Sequence, residues 1–522
     1  MKQKRHFILH PFLFALYPIV ALLAFNSDQI EPGEAIRATV LTLTVTVVLF
    51  GLFRLWLKDW QKTGLLLSIY LIVLFGYGHI ENFITNSSTL SPFLVRQLLL
   101  IFIAMFFIMG SYWLWRFFKR DLTLVTHFLN IMITVALILP LINITTNTIS
   151  NWNIEKQSAQ NLDSNTSSDI SYPDIYYIIL DGYARADVLA EVFDYDNSEF
   201  IDWLTNQGFY VADNAHSNYA YTAFSLSSSL NLKYLDDVAE QVGIDSTDRN
   251  PLTSLIEHSQ VRKLLEGHGY TTIAFATGFN QTELRSFDIY LKPEGNVLNE
   301  FEYMLIQKTL PGAIFAGNQF LEIKRQHVFN IFDNLHTIPE MVDGPKFVFA
   351  HLYAPHEPPA FGPNGEPLSA KDFDVEDLMA HGYGSETYLK AYTDEVTYIN
   401  KRLKQEISTI LENSTEPPII IIQSDHGSPV NWDDVLVKNS CARERISILN
   451  AYYLPDGGAS QFYDSVTPVN TFRIIFNTYF DTEFDLLEDR SYLAARERPF
   501  DFLDVSDKYD VLCSELSTAN PK

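Results

Sequence analysis

Apolar and polar positions divide the chain into two parts of different character. In the first part, five apolar runs without a charged residue follow one another at 7–25, 38–53, 64–80, 97–115 and 122–142. A helix needs about 20 apolar residues to cross a hydrocarbon core of about 30 Å, and each run approaches that length. One such run alone is also compatible with a buried core helix. Five in succession predict an N-terminal bundle of five transmembrane helices at 1–142.

The loops between these runs predict how the bundle is oriented. Basic residues cluster before the first run, between the second and third, and between the fourth and fifth: Lys2, Lys4, Arg5, Arg54, Lys58, Lys62, Arg116, Lys119 and Arg120. The positive-inside rule therefore predicts a cytoplasmic N-terminus. Five crossings of a bacterial inner membrane then place the rest of the chain outside the cytoplasm. The runs hold no ionisable carboxylate or amine, which favours a membrane anchor over an ion pathway.

The second part follows a polar connector at 143–172 that is rich in Asn, Ser and Thr. Short apolar runs then alternate with helical patterns. They predict strands at 176–180, 272–275, 347–352, 419–422 and 446–454, and helices at 195–207, 251–267, 384–413 and 467–480. This alternation predicts an α/β sandwich with a mostly parallel sheet as an extracytoplasmic domain at 173–522.

Charge narrows the possible partners of this domain. The 522 residues include 63 acidic and 37 basic side chains, for a net charge of −26. Residues 1–150 hold only six of the acidic and 11 of the basic side chains, so the acidity lies in the outer domain. A nucleic-acid-binding surface needs a basic footprint, and nucleic acid is therefore not expected as a partner. Cys441 and Cys513 both lie in the outer domain, where a disulfide and two buried thiols are equally compatible with the sequence.

Candidate chemistry lies where the predicted strands end. The strand at 176–180 leads into Asp181, the strand at 347–352 contains His351 and is followed by His356, and the strand at 419–422 leads into Asp425 and His426. Ligands bind beyond the carboxyl ends of strands in parallel sheets, and carboxylates with imidazoles suit zinc or manganese. A glycine follows both Asp181 and His426, which allows a sharp turn and a close backbone approach. A plain strand-end turn remains the alternative for each site.

Thr222 stands where a loop enters a predicted helix. A threonine there has two uses that the spacing alone leaves open. As an N-cap it accepts a hydrogen bond from the helix backbone. As a nucleophile it gains from the helix dipole and from a neighbouring metal.

These motifs, in this order, resemble those of the alkaline phosphatase/sulfatase superfamily. The four motifs are Asp181-Gly182, Thr222-Ala223-Phe224-Ser225, Pro355-His356-Glu357-Pro358 and Asp425-His426-Gly427. Five membrane helices before such a domain resemble lipoteichoic acid synthase and the lipid A phosphoethanolamine transferases. The resemblance implies that Thr222 is the nucleophile and that Asp181, Thr222, Asp425 and His426 hold one tightly bound divalent ion, Mn or Zn. It also implies that His351 and His356 lie in the region whose histidines contact the substrate phosphate or a second metal, which makes both candidates for substrate binding and leaves open which of them does so.

Two departures refine this expectation. The Cys/Ser-x-Pro-x-Arg motif from which sulfatases make formylglycine is absent from the sequence, which disfavours ordinary sulfate-ester hydrolysis. A second metal site usually shows an Asp-x-x-x-His pair, and we find no convincing copy.

Arg443 and Arg445 either bind a phosphate or form ion pairs within the acidic domain.

The implied function is a metal-dependent transferase. It moves a headgroup of the phosphoglycerol or phosphoethanolamine type from a membrane phospholipid to an envelope glycan or lipid, through a phospho-threonine intermediate. One alternative is a membrane-anchored phosphodiesterase or sulfatase-like hydrolase that uses the same residues. The other is a non-catalytic envelope protein that keeps the fold, which predicts that a ligand position is lost. All four ligand positions are present.

Overall fold

The computed structural model describes residues 7–27, 30, 32–87, 92–119, 121–158, 172–294, 298–315, 319–369 and 382–507. The chain forms two compact units. The first, here called the helical unit, comprises Met1–Ile154 together with Leu298–Phe320. The second, the α/β unit, comprises Glu155–Val297 and Leu321–Lys522.

Five apolar helices make up most of the helical unit. They are α1 His10–Phe25, α2 Ala35–Leu57, α3 Trp60–Ser87, α4 Pro92–Arg116 and α5 Thr123–Ser158. Four described helical segments are long and apolar enough to cross a membrane, and α1 is a shorter apolar helix of 16 residues. Large side chains such as Leu55 and Leu139 are 76% exposed, which suits a surface that faces lipid. The predicted bundle of five helices is confirmed, while the number of crossings stays a prediction.

A seven-stranded sheet forms the centre of the α/β unit, in the order β2-β7-β6-β1-β5-β3-β4. The strands are β1 Ile175–Leu180, β2 Tyr210–Val211, β3 Thr271–Phe275, β4 Ile289–Leu291, β5 Lys346–Leu352, β6 Ile419–Gln423 and β7 Asn450–Tyr453. Strands β6, β1, β5, β3 and β4 are parallel, and β7 pairs antiparallel with both β6 and β2. Strands β1, β5 and β6 are buried throughout, as expected for a parallel sheet covered on both faces. The predicted α/β fold is confirmed.

Helices and a short hairpin surround this sheet. The helices are α6 Ala186–Phe193, α7 Ser198–Asn206, α8 Thr222–Leu230, α9 Asp236–Val242, α10 Asn250–Glu257, α11 Gln260–Gly267, α14 Gln319–Leu335, α15 Glu386–Asn413, α16 Ala442–Ile446 and α17 Pro468–Tyr479. The hairpin pairs β8 Tyr492–Ala495 with β9 Arg498–Asp504. The predicted helix at 251–267 is two helices, because Ser259 accepts a hydrogen bond from the Arg262 N–H and caps a new one. The strand predicted at 446–454 is wrong in extent, since Ile446 ends α16 and β7 begins at Asn450.

The domain boundaries differ from those that composition indicates. Helix α5 continues to Ser158, so the first half of the connector predicted at 143–172 is helical. Residues 159–171 of that connector lie outside the described residues. Two further helices, α12 Glu300–Gln307 and α13 Leu310–Phe315, lie within the predicted domain 173–522 but belong to the helical unit. The polypeptide therefore passes between the two units three times.

Specific contacts hold α12 and α13 within the helical unit. The Arg37 guanidinium donates to both carboxylate oxygens of Glu302, with its Nε 2.5 Å from Oε1. Phe301 packs into an apolar cluster built mainly from α1 and α2. The Gly78 N–H donates to the Lys308 carbonyl oxygen at 3.1 Å, and a Cβ at position 78 would stand only 3.0 Å from the Lys308 Cα. A glycine in α3 is therefore what allows this close approach.

Candidate active site

Three neighbouring strands bring the predicted site residues to one edge of the sheet. Asp181 directly follows β1, His351 lies near the end of β5, and Asp425 and His426 follow β6. In the register of the sheet, Ile179 of β1 lies beside His351 on one side and beside Gln423 on the other. All four site residues are buried. The juxtaposition expected at the carboxyl ends of parallel strands is present.

The two glycines of these motifs serve different purposes. Gly182 adopts a φ of +72°, a left-handed conformation that glycine accepts without strain. Its N–H donates to Asp425 Oδ1 at 3.2 Å, so the turn after β1 also holds the carboxylate that follows β6. Gly427 is required for space, because a Cβ there would stand 2.3 Å from the carbonyl oxygen of Glu444.

The geometry around His426 is that of a ligand cluster. Its Nδ1 lies 3.0 Å from the Gly427 carbonyl oxygen, to which it donates, so Nε2 presents a lone pair. That Nε2 lies 3.4 Å from Asp181 Oδ1, 3.6 Å from Asp425 Oδ2 and 3.4 Å from Thr222 Oγ1. These distances exceed ordinary hydrogen bonds. Tetrahedral zinc bonds of about 2.0–2.2 Å separate ligand atoms by about 3.3–3.6 Å, which matches the observed spacing.

Unsatisfied oxygens support the same interpretation. Both carboxylate oxygens of Asp181 and the Oδ2 of Asp425 are buried without a hydrogen-bond partner. Burying a charged carboxylate is costly unless it is paired or coordinates a metal. The residues present therefore fit a divalent cation, and Asp181, Thr222, Asp425 and His426 are candidate donors.

His351 and His356 approach the same carboxylate. His351 Nε2 lies 3.3 Å from Asp181 Oδ2, and its Nδ1 lies 2.9 Å from Thr282 Oγ1. His356 donates through Nδ1 to the Glu357 carbonyl oxygen at 2.8 Å, which leaves Nε2 4.0 Å from Asp181 Oδ1.

Each of these histidines completes a three-residue group with potential ligand atoms within 4.8 Å of one another. The groups are Asp181, His351 and Asp425, and Asp181, His356 and His426. Asp181 belongs to both groups and is therefore the centre of the site.

Thr222 does not act as the helix cap. It is the first residue of α8, and the N-cap position belongs to Tyr221, which makes no capping hydrogen bond through its side chain. The Thr222 side chain instead faces His426. The first backbone N–H groups of a helix lack intrahelical partners and carry partial positive charge, which favours an anion beside Thr222. The capping alternative is not supported.

Electrostatics set the protonation of these groups. Burial alone raises the pKa of Asp181, but His356, His351 and His426 outweigh that effect and lower the pKa below its ordinary value. Asp181 is therefore an anion at neutral pH. Burial lowers the pKa of His356, but the carboxylates of Glu357 and Asp181 raise it above its ordinary value, which favours the imidazolium. Burial, followed by the charge of Arg445, lowers the pKa of His426 and keeps its imidazole neutral.

A buried brace supports the loop of His356, and sequence reasoning missed it. Lys324 donates through Nζ to the carbonyl oxygens of His356, at 2.5 Å, and Pro358, at 3.0 Å, and pairs with Glu395 at 3.2 Å. The Tyr392 hydroxyl, one turn away on α15, donates to the Gly182 carbonyl oxygen at 2.8 Å. These residues lie inside ordinary helical patterns, so no local signal marks them.

The two arginines and two cysteines that the sequence analysis singled out have different surroundings. Arg443 pairs with Asp187 and Glu191 at 2.7 and 2.8 Å, which is the ion-pair alternative. Arg445 is buried and donates to the carbonyl oxygens of Ala220 and Gly427, which lie next in sequence to Tyr221 and His426. Cys441 is buried and disulfide-bonded, and Cys513 lies outside the described residues.

Comparison with known proteins identifies the family. Residues 173–475 match the family described as Sulfatase. A search of curated proteins finds no match. Among solved structures, the C-terminal periplasmic domain of EcEptC from Escherichia coli is similar at 12% identity and a TM-score of 0.42, over 66% of this chain and 96% of that one. The integral membrane lipooligosaccharide phosphoethanolamine transferase A (EptA) from Neisseria meningitidis is similar at 10% identity and a TM-score of 0.39, over 89% of this chain and 94% of that one. Because the Sulfatase match spans more than half of the chain, this protein belongs to the sulfatase family, and with it to the phosphoryl-group transferases and hydrolases of the alkaline phosphatase/sulfatase superfamily.

Proposed function

We propose that this protein is a metal-dependent transferase of a phosphoryl-linked headgroup, of the phosphoglycerol or phosphoethanolamine type. The donor is a membrane phospholipid, and the acceptor is an envelope glycan or lipid. One observation carries the proposal: Asp181, Asp425 and Thr222 converge on His426 Nε2 at 3.4–3.6 Å, with three carboxylate oxygens left unpaired. This donor set suits one tightly held divalent ion, zinc or manganese.

The ion and the protein contribute differently to the reaction. When bound, a divalent ion lowers the pKa of a coordinated hydroxyl and polarises a phosphoryl oxygen. Asp181 and Asp425 would supply the negative charge that holds it, and the Thr222 hydroxyl, at the start of α8, lies 3.4 Å from His426 Nε2. The imidazolium form of His356 places positive charge and a proton beside the same carboxylate.

The proposed first half-reaction forms a phospho-threonine. Thr222 Oγ1 bonds to phosphorus, and the bond from phosphorus to the lipid alcohol oxygen breaks. Thr222 loses its hydroxyl proton to solvent, and the leaving oxygen takes a proton for which the imidazolium of His356 is the proposed donor. The alcohol departs with its acyl chains, and the headgroup stays on the enzyme as a phosphodiester.

The second half-reaction reverses the first with a new alcohol. An acceptor hydroxyl attacks phosphorus and passes its proton to the His356 imidazole that the first half-reaction left neutral. The Thr222 Oγ1–phosphorus bond breaks, and Thr222 regains a proton from solvent, which restores the starting state of both residues. Water in place of the acceptor gives a phosphodiesterase, the alternative enzymatic function. The membrane anchor favours transfer from a lipid, because it holds the domain within reach of headgroups. The predicted location is the bacterial inner membrane, with the α/β unit on its outer side.

Intact-mass spectrometry tests the proposal directly. The full-length protein is incubated with zinc or manganese and mixed phospholipids, beside a Thr222→Ala control. We expect a mass increment on the wild type alone, localised to Thr222, whose size identifies the transferred group. Metal binding without an increment on any lipid favours rapid hydrolysis over transfer. Neither metal binding nor an increment contradicts the enzyme assignment and favours the non-catalytic alternative.

A further inference from the structure

Arg445 occupies a place in the site that the reaction above leaves without a role. It lies on α16. The main chain of this helix is hydrogen-bonded to the turn after β6, because the Gly427 N–H donates to the Arg445 carbonyl oxygen at 2.6 Å. The residue is only 5% exposed. Its Nε donates to the Ala220 carbonyl oxygen at 2.9 Å and its Nη1 to that of Gly427 at 3.3 Å. The guanidinium thus joins the segment that leads to Thr222 with the turn that carries His426.

No carboxylate of the described residues lies in direct contact with this buried guanidinium. Among the described residues, none offers a carboxylate oxygen within 4 Å of it, and its Nη2 donates to no described acceptor. The guanidinium carbon also lies 5.2 Å from the centre of the Trp432 ring. Burying a charge without a counter-ion in contact is unfavourable, and hydrogen bonds to carbonyl oxygens and a cation–π contact offset only part of that free energy. An anion supplied by a ligand offsets that cost.

The charge of Arg445 affects groups close to His356 and Thr222. Burial raises the pKa of Glu357, but His356 and then Arg445 lower it below its ordinary value. The ring of Trp432, over which Arg445 stacks, meets the ring of Tyr221 edge-on at 6.0 Å. Tyr221 directly precedes Thr222, so the guanidinium belongs to the immediate surroundings of the proposed nucleophile.

We propose that Arg445 is a substrate-binding residue whose guanidinium holds a non-bridging oxygen of the transferred phosphoryl group. This inference rests on the proposed function and adds the group that recognises the oxyanion. Guanidinium donors suit phosphoryl oxygens because they are planar, permanently charged and carry several N–H groups. The ligand chemistry is a phosphate ester, and inorganic phosphate presents the same oxygens.

The chain supplies a matched control two residues away. Arg443 lies on the same five-residue helix but is already paired with Asp187 and Glu191. The test compares full-length, metal-loaded Arg445→Met, Arg445→Lys and Arg443→Met with the wild type. Turnover of the soluble diester bis(p-nitrophenyl) phosphate gives kcat and KM, and competition by inorganic phosphate gives Ki. We expect Arg445→Met to raise KM and Ki about 10- to 100-fold, Arg445→Lys to raise them severalfold, and Arg443→Met to leave both within twofold.

Each outcome bears on the inference. Equal KM and Ki in Arg445→Met and the wild type overturn it. If Arg445→Met does not fold, an unchanged Ki in the folded Arg445→Lys variant also overturns it, because a merely structural arginine does not set phosphate affinity. A defect seen with phosphatidylethanolamine vesicles but not with the soluble diester contradicts oxyanion binding and assigns the residue to the headgroup. No wild-type turnover of any substrate contradicts the proposed function instead, and calorimetric titration of metal-loaded protein with inorganic phosphate then tests Arg445 alone.

Discussion

Thr222 is the residue on which the proposed chemistry depends most directly. Its hydroxyl is the only part of the side chain that the mechanism uses, and Thr222→Val removes it while keeping the shape. We expect this change to lower kcat by about three orders of magnitude or more, because loss of a nucleophile removes the whole covalent route. Thr222→Ser keeps a hydroxyl at the start of α8 and retains measurable turnover. Initial rates with a soluble phosphodiester check both variants, and a Thr222→Val rate within tenfold of wild type contradicts the nucleophile assignment.

Glu444 offers a prediction about pH and stability. Burial raises its pKa from 4.5 to about 7, although the amide of Asn431 donates to both its oxygens at 3.2 Å. The folded protein therefore holds this proton more tightly than the unfolded chain does. The resulting stabilisation is complete below about pH 4.5 and is lost as pH rises to about 7.

Glu444→Gln removes this titration and tests its sign. We expect the Tm of the wild type to fall relative to that of Glu444→Gln as pH rises from 5 to 7.5. Thermal denaturation of both proteins in detergent at three pH values measures the difference. A Tm difference that stays constant with pH shows that Glu444 titrates at its ordinary value.

At the scale of elements, α15 braces the site from one face. Tyr392 and Glu395 stand three positions apart and therefore share a face of the helix. The first holds the turn after Asp181, and the second, with Lys324 of α14, holds the loop of His356. The two sides of the candidate metal site are thus fixed relative to each other by one helix.

Removing Lys324 tests this brace. In Lys324→Met the fully buried Glu395 loses its partner, and breaking a buried pair in this way costs about 3–5 kcal/mol. We expect a lower Tm and weaker binding of zinc. The double variant Lys324→Met with Glu395→Gln recovers part of the stability, because no unpaired charge remains. Thermal denaturation and zinc titration measure the two effects, and a Lys324→Met variant as stable as the wild type contradicts a stabilising role of the pair between Lys324 and Glu395.

The sequence predicts the site residues at the strand ends, but it does not predict the residues that hold the surrounding loops, and the difference has a physical reason. Asp181, His351, Asp425 and His426 lie at or near the ends of apolar strands, and parallel strands bring such ends to one edge of a sheet. Lys324 and Glu395 meet only because α14 and α15 pack together, which no local pattern records. The error at 446–454 has a similar origin, since a short apolar run suits a buried helix as well as a strand.

At the scale of the whole molecule, the order of units along the chain is not simple. Residues 298–320 lie deep in the sequence of the outer domain yet form part of the helical unit. Their apolar side chains are typical of any core helix, so composition could not assign them to the anchor. The assignment depends on long-range contacts, notably the pairing of Arg37 with Glu302 and the approach of Lys308 to Gly78.

Charge reversal tests whether these contacts hold the insertion in place. The Glu302 side chain is 6% exposed and the Arg37 side chain is 49% exposed. Arg37→Glu therefore sets a second negative charge against the buried Glu302, and Glu302→Arg buries a positive charge against Arg37. We expect Arg37→Glu and Glu302→Arg each to lower the Tm in detergent by about 5 °C or more, and the double variant to recover most of that loss because opposite charges face each other again. Glu302→Arg also loses the hydrogen bond that the Glu302 carboxylate accepts from the Asn299 N–H, so recovery should be incomplete. Additive losses in the double variant show that the two side chains act independently, and the insertion is then held by its apolar contacts alone.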